Sequence, residues 1–168
     1  FGAHKADFWR YCILYIFGGY YFDIKTNFKT HIDNIFDNKT RKTWYSVICA
    51  DEYPKCIFNG IIVTPPKNPI LWKSILFFYK NVNTTEYMIF VNKLNKNLQD
   101  SCSTKLKIGE NNLNNGWNCI LLKEKCNASC EMYGLFHNEG RDPKVVTKVT
   151  HKGKKSKCDQ DFRFVNKD

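Results

Sequence analysis

Apolar positions dominate the first part of the chain. From Ala3 to Phe17 the polar interruptions are His4, Lys5, Asp7 and Arg10, and the last two stand three apart and so share one face of a helix. Gly18-Gly19 stops that helix, because glycine takes the positive-φ conformation that closes one. Tyr20-Tyr21-Phe22 then favours a strand, with Asp23 at or near its end. A polar stretch to about Lys42 predicts loop with a short helix near Ile32 to Phe36. Trp44 to Cys49 and Cys56 to Val63 read as strands, the apolar run of the second interrupted by Asn59 and Gly60, and a glycine there allows close backbone approach by a ligand. Pro65-Pro66 ends that strand, and Asn68-Pro69 opens a helix with asparagine as its cap. Ile70, Trp72, Ile75, Leu76 and Tyr79 make this helix apolar over much of its circumference, so it is expected to be largely buried, with Trp72 as core rather than as a platform for a sugar. Tyr87 to Leu98 has the spacing of an amphipathic helix.

Ile108 to Asn118 is rich in Asn and Gly and predicts a long loop; Trp117 on it is a sugar platform or folds back onto the core. Cys119 to Leu122, Met132 to His137 and Val145 to Val149 predict three more strands, the last at a sheet edge. Asn138 to Pro143 is a turn-rich break, which sets residues 1–143 apart from 144–168, a basic extension or an edge strand plus tail.

Element lengths bring the polar residues together. Asp7 to Phe17 spans ~15 Å at the helical rise, and Tyr20 to Ile24 returns ~13 Å at the strand rise. Two carboxylates, Asp7 and Asp23, and the Arg10 guanidinium can therefore meet in one small volume, suited to a sugar, a phosphate or a divalent metal. Spacing alone fits equally well an ordinary surface ion pair with Asp23 merely ending a strand.

Composition adds a core and a basic balance. The chain has 168 residues, 43% of them apolar and 15% aromatic, enough for one domain that buries ~70% of its unfolded surface. Net charge is +10, which attracts polyanions. Lys144 to Lys157 holds six lysines without aromatic interleaving, which reads as a solvated basic segment rather than a nucleic-acid site. Of eight cysteines, Cys102, Cys119, Cys126, Cys130 and Cys158 lie in the C-terminal half; they suit disulfides in a lumenal protein better than a zinc site. The sequons at Asn38, Asn83 and Asn127 fit a secretory route. No apolar stretch is long enough to span a bilayer. The first residue is Phe1, as in a fragment or processed chain. No Ser-His-Asp or Cys-His arrangement and no phosphate-binding glycine loop stands out.

Ala3, Asp7, Arg10, Tyr11, Leu14, Gly18, Gly19, Tyr21 and Asp23 match, in order and spacing, the donor-site signature of DXD glycosyltransferases. The chain resembles the branch of that family that includes initiating α-1,6-mannosyltransferase, α-1,4-galactosyltransferase and the clostridial glucosylating toxins. The resemblance is clear over about 24 residues and weaker to about Val82, where Asn59 and the proline-bounded helix look like the family's next block. There are two departures: Ala6 stands where the family has serine, and Lys25 where it has the second aspartate, so the motif reads Asp23-Ile24-Lys25.

The resemblance implies an α/β fold of the GT-A kind, Rossmann-like and lacking its first strands, which hold the base and ribose. It implies that residues 1–143 are a partial catalytic domain for retaining transfer of a sugar from a nucleotide-sugar donor to a glycan or glycoprotein acceptor. Asp7 and Arg10 are the implied catalytic and sugar-binding pair; Asp23, Lys25 and Asn59 join them at the donor, with Asp23 as ligand to Mn²⁺ or Mg²⁺. Lys25 cannot ligate a metal while protonated, but offsets phosphate charge as a point cation. Tyr11 and Tyr21 are expected to pack helix against strand. The implied setting is the Golgi or secretory pathway, with any membrane anchor outside this chain and no nucleic-acid partner; the cytoplasm is the alternative. Two other functions remain open: a degenerate domain that binds donor without transfer, and a basic polyanion-binding module.

Overall fold

The computed structural model describes residues 2–24, 26–28, 31–36, 42–48, 57–86, 88–126, 131–136 and 144–150. Lys25, Cys49, Cys56, Tyr87, Cys130, His137, the 138–143 break and the tail beyond 150 lie outside the described residues. The chain is mixed α/β, compatible with a Rossmann-like arrangement. Helix α1 (Gly2–Phe17) leads into strand β1 (Gly19–Phe22), then β2 (Thr26–Phe28), a 3-10 turn (Ile32–Asn34), β3 (Thr43–Ile48) and β4 (Ile57–Thr64). Helices α2 (Pro69–Lys80) and α3 (Ile89–Gln99) follow, then β5 (Gly109–Asn112), β6 (Asn118–Cys126), β7 (Glu131–Phe136) and β8 (Lys144–Thr150).

The strands form one sheet in the order β1-β4-β3-β6-β7-β8-β2, with β5 beside the first half of β6. Only β3 and β6 run parallel; every other pairing is antiparallel. β1 and β2 lie at opposite ends of this order, yet only residues 23–25 join them. Laid flat, seven strands span ~29 Å, whereas Phe22 to Thr26 reaches at most ~15 Å. The sheet therefore curls until its two ends approach each other at Asp23, where Thr26 N–H donates to the Asp23 carbonyl at 2.8 Å.

The main core lies between the helices and one sheet face and includes Tyr11, Leu14, Trp44, Ile62, Leu71 and Phe78. A second cluster on the other face joins Ile35 and Phe36 to Tyr45, Val47, Ile61 and Val63. Helices α1 and α2 run antiparallel, since Tyr15 stacks on Trp72 while Phe8 meets Phe78. The helix stop expected at Gly18-Gly19 is present. Gly18 has φ +67° and its N–H donates to the Leu14 carbonyl at 2.9 Å. A Cβ there would sit 2.6 Å from the Pro66 nitrogen, so both conformation and space require glycine. The expected cap of α2 is also present: Asn68 accepts from Ile70 N–H at 2.8 Å, and Pro69 opens the first turn.

Several expectations are corrected. Thr26–Phe28, expected to be loop, is a strand because β8 supplies its hydrogen bonds. Gly109–Asn112, also expected to be loop, pairs with β6. Both are short and polar, so the ladder rather than an apolar alternation makes them strands. Val145–Val149 lies not at an edge but between β7 and β2. Trp117 packs against the main core. Helix α2 is not largely buried: Trp72, Leu76 and Tyr79 are exposed, because a two-layer packing covers only the face carrying Ile70, Leu71, Ser74 and Phe78. Cys102 and Cys119 are free thiols rather than disulfide partners; burial pushes the Cys119 thiol well up.

Candidate functional site

The site is built where α1, β1 and β4 meet. Asp7, Arg10, Tyr11 and Leu14 are the buried residues of α1. They form one stripe, so a helix that leaves Lys5 exposed turns its only acid and its arginine inward. The Arg10 Nη2 lies 3.2 Å from Asp7 Oδ1, and its Nη1 lies 3.6 Å from Asp23 Oδ1. Nη1 also donates to the Asn59 carbonyl at 2.8 Å. The Asn59 side-chain amide in turn donates to Asp7 Oδ1 at 2.9 Å and reaches the Tyr11 hydroxyl at 3.4 Å. The convergence that the element lengths predict is therefore present, and Asn59 joins it.

A bulge in β4 makes this possible. Tyr45 pairs with Val63 and Val47 with Phe58, so four residues of β4, Asn59 to Ile62, stand opposite Ser46 alone. The side chains confirm the phase shift, since Phe58 and Ile61 contact the same cluster, although strict alternation would put them on opposite faces. The bulge frees the Asn59 carbonyl from the β3 ladder, while the Gly60 carbonyl carries the β1–β4 register on to Asp23. Asn59 C=O accepts from Arg10, and Gly60 C=O accepts from Asp23 N–H at 2.8 Å. The strand expected over Cys56 to Val63 is thus present as Ile57–Thr64 and runs through Asn59-Gly60. Gly60 does permit a close approach, but by the Asp23 carboxylate: a Cβ would lie 2.6 Å from Asp23 Oδ2 and 2.5 Å from the Phe58 ring.

Tyr21 is the member that the sequence reading assigned only to packing. Its hydroxyl donates to Asp23 Oδ1 at 2.9 Å, and the Arg10 guanidinium lies over its ring, 4.3 Å from the centroid. Burial first, with Asp23 and Asp7 adding, outweighs Arg10 and pushes the Tyr21 hydroxyl up to about 12, so it remains a donor at neutral pH. Burial also raises the Asp7 carboxyl above its usual range against the pull of Arg10 and Asn59. The hint for Tyr21 was the two-residue spacing to Asp23, which puts both on one face of an extended strand.

With both aspartates ionised, two carboxylates face one guanidinium and the cluster carries net negative charge. Arg10 is 6% exposed, and its Nε has no hydrogen-bond partner among the described residues. The Asp23 side chain is 37% exposed and forms the open edge of the site. Such a cluster can accept hydroxyl hydrogens on its carboxylates and offer a fixed cation to an anion. The described residues gather no group of three or more His, Cys, Asp or Glu side chains that could hold a metal. Asp23 could give one ligand to an ion whose other ligands are phosphate oxygens and water, the mode Mg²⁺ commonly adopts. Lys25 lies outside the described residues.

Compared with known proteins, residues 1–42 match the family model described as the glycosyltransferase sugar-binding region containing the DXD motif. That span covers α1, β1, β2 and the 3-10 turn, and it contains four of the five converging residues, Asp7, Arg10, Tyr21 and Asp23, but not Asn59. The match supports a glycosyltransferase-like chain. No curated protein and no solved structure matches.

Proposed function

We propose that the chain carries the donor-sugar site of a GT-A-type glycosyltransferase that moves a hexose, with retention, from a nucleotide-sugar to a glycan or glycoprotein acceptor. The observation that supports this reading best is the Asp7–Arg10–Asp23–Asn59 cluster, three of whose members fall inside the matched region. Asp7 and Asp23 accept hydrogen bonds from donor-sugar hydroxyls. Arg10, held by Asn59 C=O and both carboxylates, presents a rigid cation to the diphosphate, where negative charge grows as the sugar leaves. Preorganised charge of this kind contributes most in a site shielded from water. Tyr21 fixes the Asp23 carboxylate from beneath. Lys25, two residues beyond Asp23, adds a second point cation for the phosphates.

A bound Mn²⁺ or Mg²⁺ would supply further charge compensation at the diphosphate, with Asp23 as its protein ligand among the described residues. A second reading, a domain that binds donor without transferring it, is favoured by Lys25 in place of the second aspartate. The two are separated by screening UDP- and GDP-sugars for binding and for transfer, with Mn²⁺, with Mg²⁺ and with EDTA, in the longest protein that contains this segment. Transfer that Asp7→Asn and Arg10→Lys each reduce by ~100-fold supports the enzyme. Donor binding with no turnover supports the second reading. Full turnover by both variants overturns the site.

A further inference from the structure

Of the ten large apolar side chains that the described residues expose, eight belong to α1, α2 or the turn after α2. On α1, Lys5, Trp9 and Ile16 follow each other at spacings of four and seven, which puts them on one stripe opposite the buried Asp7–Leu14 face. On α2, Trp72, Leu76 and Tyr79 do the same at i, i+4 and i+7, and Lys80 extends that stripe. The Tyr15–Trp72 stack, with ring centroids 5.1 Å apart, joins the two stripes, and Lys67 lies over the Tyr15 ring at 4.9 Å. The result is a broad apolar surface edged by Lys5, Lys67 and Lys80, all exposed. Neither helix exposes an acid: α2 contains none, and the only one on α1 is the buried Asp7.

From this combination we propose that the outer face of α1 and α2 docks on an anionic lipid bilayer. Apolar insertion and phosphate attraction are then met by a single partner. Trp and Tyr place flat apolar rings at the depth of the headgroups with their polar tips outward. Lysine stems lie along the apolar surface while their ammonium groups reach the lipid phosphates. A second copy of the chain is disfavoured by charge, because a face-to-face pair sets lysine against lysine with no acid on either helix to compensate. No described helix is long and apolar enough to cross a membrane, so the contact is an in-plane one.

Flotation of the full chain with phosphatidylcholine vesicles, with and without phosphatidylserine, tests this. Binding is expected with phosphatidylserine, at least ~10-fold weaker without it, and weakened by salt. Brominated acyl chains should quench tryptophan emission, and Trp72→Ser/Leu76→Ser should lose both quenching and binding. Lys5→Glu/Lys80→Glu should cost at least ~10-fold, whereas Lys105→Glu/Lys107→Glu, an equal charge change outside the two helices, should cost under ~2-fold. Thermal melts check that each variant folds; if the serine pair melts early, the lysine comparison still decides. Equal loss by both lysine pairs would show diffuse polycation binding and overturn the proposal. Failure to bind either vesicle overturns it, and so does a concentration-dependent dimer that Trp72→Ser/Leu76→Ser dissolves.

Discussion

Two buried polar networks lie on the helical side of the sheet, and they are built on opposite plans. Between α2 and α3, the Asn97 amide donates to Ser74 Oγ at 3.0 Å, Ser74 Oγ donates to the Ile70 carbonyl, and Ser101 Oγ donates to the Asn97 carbonyl. Asn97, Ser74 and Ser101 are neutral and buried, and none has a fully buried polar atom without a partner; the one charged contact among the described residues is the exposed Lys73, whose Nζ donates to Ser101 Oγ at 3.4 Å. The network between α1, β1 and β4 is charged, opens to solvent at Asp23, and leaves Arg10 Nε without a partner among the described residues. A neutral closed network gives a helix pair its register. A charged one with an open edge stores unspent hydrogen-bonding capacity, which a ligand can complete.

Substitutions should separate the two. The largest effect is expected for Arg10→Met, which leaves Asp7 buried without its cation and should cost about 3–5 kcal/mol in urea unfolding along with donor binding. Gly60→Ala should cost about 1–3 kcal/mol, because a methyl group has no room beside the Asp23 carboxylate and the Phe58 ring. Donor affinity should fall with it, whereas Asn97→Ala should cost about 1–3 kcal/mol and leave donor affinity unchanged in a titration. Equal loss of affinity in those two variants would erase the contrast. Tyr21→Phe should cost about 1 kcal/mol or less in stability and weaken donor binding by less than ~10-fold, since Arg10 still holds Asp23.

The smallest effect is a pH dependence. Burial raises the Asp7 carboxyl in the folded chain, so the folded state binds its proton more tightly than the unfolded state. Stability from this group is full below its ordinary value of 3.8 and is lost as pH rises through the raised one. Asp7→Asn should remove that slope, which unfolding at a series of pH values from acidic to neutral would detect.

Much of the open network was legible along the chain. Asp7 and Arg10 share a helix face by spacing, glycine sets the reversal, and the strand length carries Asp23 back to their level. Each follows from backbone geometry within some twenty residues. The bulge was not legible, because Asn59-Gly60 reads only as a gap in an apolar run until β3 and β1 supply the ladders on either side. Nor was the role of Tyr21, whose hydroxyl and ring are engaged by Asp23 and Arg10 only once strand and helix pack. The closed network was not foreseen, since Ser74 and Asn97 are ordinary polar positions until α2 meets α3.

By itself the sequence determined where α1 ends, how α2 begins, and that two carboxylates and a guanidinium could meet, because spacing and turn chemistry act locally. Tertiary structure decided which face of α2 stays outside, that Thr26–Phe28 and Gly109–Asn112 become strands, and that the sheet curls so that Asp23 lies where its two ends approach each other. Those outcomes depend on partners distant in sequence. Hydrogen-bond ladders and burial exist only between surfaces that the fold has already brought together.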